Sequence, residues 1–199
     1  IVHLPGSHQV SDSKRQIPAR APIRQEAGLP EQALVFCCFN NNNKITPLMF
    51  DVWMRLLKTV DRSVLWLMSE SNSAKRNLIR EACARGVDPA RLVLAEPTGI
   101  EEHLLRQRLA DLYLDTLPHC AHTSASRALW AGLPMLTCLG DTFAGRVTAS
   151  LLHAVGLPEL VASSIEEYQA LALKLARDPA LLGEIKTKLA RNCEIYPLF

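Results

Sequence analysis

The chain lacks most of the features that mark a membrane, secreted or metal-binding protein. No apolar run reaches the roughly 18 residues that a spanning helix needs, so no membrane contact is expected. The start, Ile1-Val2-His3-Leu4-Pro5, has no basic segment ahead of a long apolar stretch, so no signal peptide is visible. An initiator methionine is missing too, which leads us to expect a fragment or a cut-out domain. Of the six cysteines (Cys37, Cys38, Cys83, Cys120, Cys138 and Cys193) no two form a C-x-x-C pair, and no Cys/His cluster has zinc spacing. Several fall in apolar runs, so buried, reduced thiols in a cytoplasmic protein are expected. None of them is read as a catalytic nucleophile. An excess of charge of one sign is absent as well. Against 20 acidic residues stand 22 basic ones, a net charge of +2, which gives no support for nucleic-acid binding. The P-loop pattern, G-x-G-x-x-G, the serine-hydrolase elbow and internal repeats are all missing. That tells against a nicotinamide dehydrogenase in particular.

What is present is a folded chain. Hydrophobic residues make up 48% and charged residues 21% of 199 residues, which excludes disorder and allows one sizeable domain or little more. The Ser-, Pro-, Arg- and Gln-rich stretch from Gly6 to Ala27 has no periodicity. We read residues 1–30 as a connecting segment that packs on something outside the chain, with the compact domain over 31–199. Beyond it, short apolar runs alternate with amphipathic segments. Strands are expected at Ala33–Phe39, Ser63–Met68, Arg91–Leu94, Leu112–Leu114, Met135–Cys138 and Leu160–Ala162. Helices are expected at Pro47–Lys58, capped by Thr46, then at Ser73–Arg85, Glu101–Leu109, Ser124–Trp130 and Ala144–Val155, with two more near Ile165–Ala176 and Ala180–Cys193. Alternation about every 25 residues predicts an α/β fold, a doubly wound, Rossmann-like parallel sheet. Ligands of such sheets bind beyond the carboxyl ends of the strands.

The loops at that edge carry the candidate chemistry. Asn40-Asn41-Asn42-Asn43-Lys44 follows the first strand, and its amides and ammonium can hold a phosphate; a polar turn ahead of a capped helix explains it equally well. The loop from Asp115 to Ser124 leaves a strand and opens a helix. Thr123 and Ser124 can cap that helix, its free N–H groups suit an anion, and His122 can donate to the same phosphate. His119 reads as a loop histidine, and Gly140-Asp141-Thr142-Phe143 as a simple helix entry. His103 and Arg106 share a helix face, a pair most often found on a solvated surface.

Several blocks in one order carry a family resemblance. Val35-Phe36-Cys37-Cys38-Phe39-Asn40, Lys44-Ile45 and Ser63-Val64-Leu65-Trp66-Leu67 resemble the catalytic region of the O-linked N-acetylglucosamine transferase family (GT41). So do Glu101-Glu102-His103, Leu109-Ala110-Asp111, Leu114-Asp115-Thr116, His122-Thr123, Leu129-Trp130-Ala131-Gly132 and Arg146-Val147. The SPINDLY-like members look similar through Leu4-Pro5-Gly6-Ser7 and Phe36-Cys37-Cys38-Phe39-Asn40-Asn41-Asn42.

The resemblance implies the C-terminal, nucleotide-sugar-binding lobe of a GT-B glycosyltransferase, with the N-terminal lobe and tetratricopeptide repeats missing and the fragment inactive alone. It implies transfer of N-acetylglucosamine from UDP-GlcNAc to Ser or Thr of an acceptor protein, with inversion, without a cofactor or metal. By analogy Lys44 is the catalytic cation, Asn41 and Lys44 meet the donor diphosphate, and His122, Thr123 and Ser124 bind it at the helix start. His103 and Arg106 line the nucleotide pocket. The final Tyr196-Pro197-Leu198-Phe199 folds back toward the missing lobe. Two departures stand out. Arg127 occupies the place of an Asp expected to hold the donor ribose, and a guanidinium cannot accept from a hydroxyl. Ile100 replaces a Lys near the base. They leave open a protein O-fucosyltransferase using GDP-fucose, or an inactive lobe kept for protein contacts.

Overall fold

The computed structural model describes residues 23–69 and 71–199, together with Ser7, Gln9, Ser11, Asp12, Lys14, Ile17, Pro18 and Arg20. The Leu4-Pro5-Gly6 block and much of the expected connecting segment lie outside the described residues. Six strands, β1 (Leu34–Cys38), β2 (Ser63–Met68), β3 (Leu92–Ala95), β4 (Leu112–Leu114), β5 (Met135–Cys138) and β6 (Val161–Ala162), pair in the order β3-β2-β1-β4-β5-β6. Every pairing is parallel. This is the doubly wound order expected from the alternation, with its reversal between β1 and β4. Val35, Phe36, Cys37 and Cys38 of β1 are fully buried, as a central strand covered on both faces must be.

Among the described residues, α1 (Pro47–Thr59), α2 (Asn72–Ala84), α3 (Ile100–Gln107), α4 (Thr123–Trp130) and α5 (Val147–Ala154) connect the strands, and α6 (Ile165–Arg177) and α7 (Pro179–Ile195) follow the last of them. Thr46 caps α1 by accepting from the Met49 amide, and Pro47 takes the first helical position, where its missing N–H costs nothing. Ser71, Ser164 and Asp178 cap α2, α6 and α7 in the same way. α6 returns to pack on α1, whereas α3, α4 and α5 pack in a row.

The elements match expectation to within a few residues at each end. One difference has a clear cause. The helix expected from Ala144 begins as a 3-10 turn, Phe143–Gly145, and becomes α-helical only at Val147, because the Thr142 hydroxyl takes the Gly145 amide and tightens the entry. Thr123 and Ser124 do not cap α4. Thr123 is its first residue, the cap position falls on His122, and no side chain closes that end.

The chain ahead of β1 packs on the lobe itself rather than only on something outside it. Leu29 is buried in the core. Arg24 spans to the carbonyls of Glu31 and Ala33 and pairs with Asp111 at 2.8 Å. The end of the chain likewise turns inward: Leu198 is buried and Phe199 packs on Trp130, with ring centroids 5.0 Å apart. These last residues thus pack at least in part on α4 of this same lobe. Of the six cysteines, all free, Cys83 on α2 is exposed.

Gly156 ends α5 with φ at +71°, and a Cβ built there meets the Tyr196 ring at 2.6 Å and Asn192 Nδ2 at 2.8 Å. Gly156→Ala adds left-handed strain to a close approach on Tyr196 and the buried Asn192, so urea unfolding should show a loss of about 1–3 kcal/mol.

Candidate functional site

The reversal of strand order opens a crevice between the carboxyl ends of β1 and β4, and the loops that follow these two strands meet there. A knot of buried polar groups fixes both loops. Asn40, just past β1, donates from Nδ2 to Asp115 Oδ1 at 3.1 Å and to Thr116 Oγ1 at 2.8 Å. Its Oδ1 accepts from the Tyr113 hydroxyl at 3.1 Å and the Ser124 hydroxyl at 2.9 Å. Asp115, wholly buried after β4, also accepts from the Thr116 amide, the Ala121 amide and the Thr137 hydroxyl, each at 2.8 Å. Burial pushes its carboxyl up against the pull of these donors. One carboxylate thereby folds the β4–α4 loop back on itself and ties it to β1 and β5.

Above the knot lies the Lys44 ammonium. Its Nζ donates to the Cys120 carbonyl at 3.0 Å, so the β1–α1 loop reaches across the crevice to the loop that opens α4. The two loops expected to carry a phosphate site are thus in direct contact. His122 lies at the α4 start with Nε2 3.3 Å from the Ala144 carbonyl, and the ring of His119 stands 5.2 Å from it. Thr123 is exposed, with its backbone among the uncapped first amides of α4. The β5–α5 turn presses on the same loop: a Cβ on Gly145 would stand 2.7 Å from the Pro118 carbonyl, so only glycine lets the two backbones approach so closely.

The asparagine run divides its work. Asn40 belongs to the knot, Asn41 accepts from the Asn43 amide in a turn, and Asn42 donates to the Met68 carbonyl at 2.6 Å. Asn41 itself is exposed at the crevice edge, while Ser124 spends its hydroxyl on Asn40 rather than on the open helix end.

His103 and Arg106 lie away from Lys44, against the other side of Phe39. The His103 ring meets Phe39 edge-on at 5.4 Å and is 8% exposed; the Arg106 guanidinium sits 5.8 Å over the same ring. Arg106 donates to the Glu96 carbonyl at 2.8 Å and to the Thr98 hydroxyl, and lines a cavity of about 300 Å³ with Trp66, Ala95, Glu96 and Glu102. The pair shares a face, as its spacing predicts, but that face is buried rather than solvated. Burial, then Arg106 and Arg127, pull His103 down to about 4, so it is neutral at pH 7. Arg127 lines a smaller cavity of about 110 Å³ together with Thr123 and Asp12.

The buried thiols are not nucleophiles: burial pushes Cys38 up to about 12. Among the described residues no three His, Cys, Asp or Glu side chains gather as a metal site, and no helix is long and apolar enough to cross a membrane.

Residues 7–199 match the model of the family described as glycosyl transferase family 41. The chain belongs to this family. It is 39% identical over 185 residues to the UDP-N-acetylglucosamine–peptide N-acetylglucosaminyltransferase of Caenorhabditis elegans, an alignment covering 92% of this chain and 16% of the relative. It is 35% identical over 206 residues to the probable UDP-N-acetylglucosamine–peptide N-acetylglucosaminyltransferase SEC of Arabidopsis thaliana, covering 100% of this chain and 21% of that one. The chain thus spans only about a fifth or less of these curated relatives. Among solved structures, a mutant O-GlcNAc transferase from Thermobaculum terrenum superposes with a TM-score of 0.78 at 34% identity, over 83% of this chain and 34% of that one. The family 41 lobe seen here has the α/β architecture of a GT-B glycosyltransferase lobe.

The Asn40 knot had no signature in the sequence. Its partners lie some 75 residues apart in sequence, and the only local hint was a polar residue ending each of two apolar strands.

Two outcomes follow from this family 41 crevice. Asn40→Asp sets a second carboxylate against Asp115, and unfolding by urea at pH ~7.5 should show a loss of about 3 kcal/mol that shrinks toward pH ~5 as one carboxyl takes a proton. His103 acts with a fixed sign. Its folded value of about 4 lies below the ordinary histidine range, so its neutral form stabilises the fold above pH ~6.5. That contribution drains away as pH falls toward 4. Between pH ~7.5 and ~4.5 the native protein should lose about 2 kcal/mol more than His103→Phe, measured as the difference of their urea midpoints.

Proposed function

We propose that this chain is the nucleotide-sugar-binding lobe of an inverting protein O-glycosyltransferase, transferring N-acetylglucosamine from UDP-GlcNAc to Ser or Thr of a protein acceptor. The observation that carries the reading is the Lys44 ammonium lying on the loop that opens α4, beside uncapped helix amides. An ammonium, helix N–H groups and a histidine N–H suit a diphosphate. Family membership and the names of the relatives support the donor and the acceptor class.

In this reading the acceptor hydroxyl attacks the anomeric carbon as the bond to the diphosphate oxygen breaks, and the nucleoside diphosphate leaves with the electron pair. Lys44 trades the Cys120 carbonyl for a phosphoryl oxygen and stabilises the charge that grows there, as do the amides at Thr123 and Ser124. His122 adds an N–H, and the backbone at Asn41 closes the β1 side. Arg106 lines the cavity that takes the base, with His103 packed behind it. A resident metal or cofactor has no task in this scheme. The N-terminal lobe and tetratricopeptide repeats of the same protein complete the enzyme, and its place is the cytoplasm.

A second reading has its own observation. Arg127 lines the cavity beside Thr123, where an acceptor for a ribose hydroxyl is wanted. An altered donor such as GDP-fucose, or a lobe kept for protein contacts, would tolerate it.

Calorimetric titration of UDP, GDP and ADP decides among these. UDP should bind tightest, and Lys44→Ala should weaken it by tenfold or more (about 1.4 kcal/mol). Preference for GDP would select the second donor. Absence of binding by all three, in the native chain and in Arg127→Asp, would defeat the donor-lobe assignment.

A further inference from the structure

His119 has no task in the reading above, yet it stands at the mouth of the same crevice. Its backbone is pinned: the Thr116 hydroxyl, itself in the Asn40 knot, donates to the His119 carbonyl at 2.7 Å. The next residue, Cys120, supplies the carbonyl that holds Lys44 Nζ. The ring is exposed, tilted 41° to that of His122 with centroids 5.2 Å apart. Three groups able to carry positive charge thus converge from two loops.

The other charged neighbours do not cancel them. Asp115 lies beneath, buried and occupied by four donors. On the β5–α5 turn, Asp141 is exposed, and Arg146 is turned to the Gly140 carbonyl at 3.5 Å. The first charged residue of α1, Asp51, pairs with Arg85. Slight burial, the Lys44 ammonium and His122 hold His119 below the usual histidine range, with Asp115 pulling the other way. An anion entering beside Lys44 and His122 offsets their charge and so favours the protonated form of the exposed His119 ring.

We propose that His119 is a phosphate ligand that takes up a proton as a nucleoside diphosphate binds and donates an imidazolium N–H to its terminal phosphoryl group. Lys44 and the α4 start can hold one phosphoryl group; His119, farther out on the loop, adds the contact that distinguishes a diphosphate from a monophosphate. Binding of the diphosphate therefore tightens as pH falls from about 8 to about 6.5, and the terminal phosphate's own titration near pH ~6, common to native and variant chains, cancels in their comparison. The inference rests on the donor-lobe reading and adds to it a residue and a proton.

Calorimetry of UDP and UMP with the 199-residue chain, at pH ~6.5 and ~8 and in buffers of different ionisation heat, counts the protons exchanged. The native chain should take up more than about half a proton per UDP at pH ~6.5. His119→Gln keeps an N–H without the charge. It should bind UDP about tenfold more weakly at pH ~6.5, less than about threefold more weakly at pH ~8, and UMP nearly as before, with the proton uptake lost. The ring is exposed, so its replacement should leave the urea midpoint unchanged, and the imidazole NMR signal of the native chain gives the same titration without any variant. Equal UDP affinity and proton uptake in native and His119→Gln chains would overturn the role of His119 while leaving the donor lobe standing. No binding of UDP by the native chain would overturn both.

Discussion

Backbone pairing joins β1 to β4 at two register positions, Phe36 with Leu112 and Cys37 with Tyr113, yet the crevice lies on this seam. Side chains complete what the ladder leaves short. Two aspartates bracket the three-residue strand β4. Asp111 accepts from the Val35 amide at 2.9 Å, and Asp115 accepts from Asn40 at 3.1 Å, so β1 is clamped at both ends. The Tyr113 hydroxyl adds a third tie by accepting from the Phe39 amide at 3.0 Å. Burial holds that phenol well above its ordinary range, so it keeps the proton it donates to Asn40. A buried carboxylate such as Asp115 is tolerable because both of its oxygens accept hydrogen bonds, three at Oδ1 and one at Oδ2. Removing any one donor would leave the charge short and let the β4–α4 loop move, and with it the carbonyl that seats Lys44.

Much of this lobe was legible in its sequence, for reasons that particular residues make plain. The apolar runs of β1 and β2 and the capped, amphipathic α1 carry their own periods, so their order and the parallel sheet followed. The loops worth inspecting came from topology alone, and Lys44 met the α4 loop as expected. Three things were hidden. The asparagine run read equally as a phosphate cradle or a polar turn, and three of its four amides are engaged within the fold, Asn40 with side chains and Asn41 and Asn42 with backbone groups. His103 with Arg106 looked like a solvated face, but Phe39 from the neighbouring strand end covers it. The Asn40 knot depends on pairings that only the folded sheet creates.

The same logic explains why the cationic groups lie where they do. The Lys44 ammonium is seated on a backbone carbonyl, and among the described residues no ion pair holds it. Its present partner, a neutral carbonyl, can be exchanged at little cost. The knot supplies rigidity and background charge; the loops above it supply exchangeable donors.

Rigidity also reaches the crevice from behind. The Trp53 indole on α1 donates to the Tyr168 hydroxyl on α6 at 3.4 Å, and that hydroxyl donates to the Asp115 carbonyl at 3.1 Å. All three residues are buried, so the two helices are tied to the residue that organises the front. On the opposite flank, the Ser11 and Ser126 hydroxyls meet at 2.8 Å and Phe199 packs on Trp130, which holds α4 from two further segments. α4 is therefore held on that flank by segments from both ends of the chain. A binding energy spent on ordering phosphates need not also be spent on ordering that helix, because the fold has already fixed it.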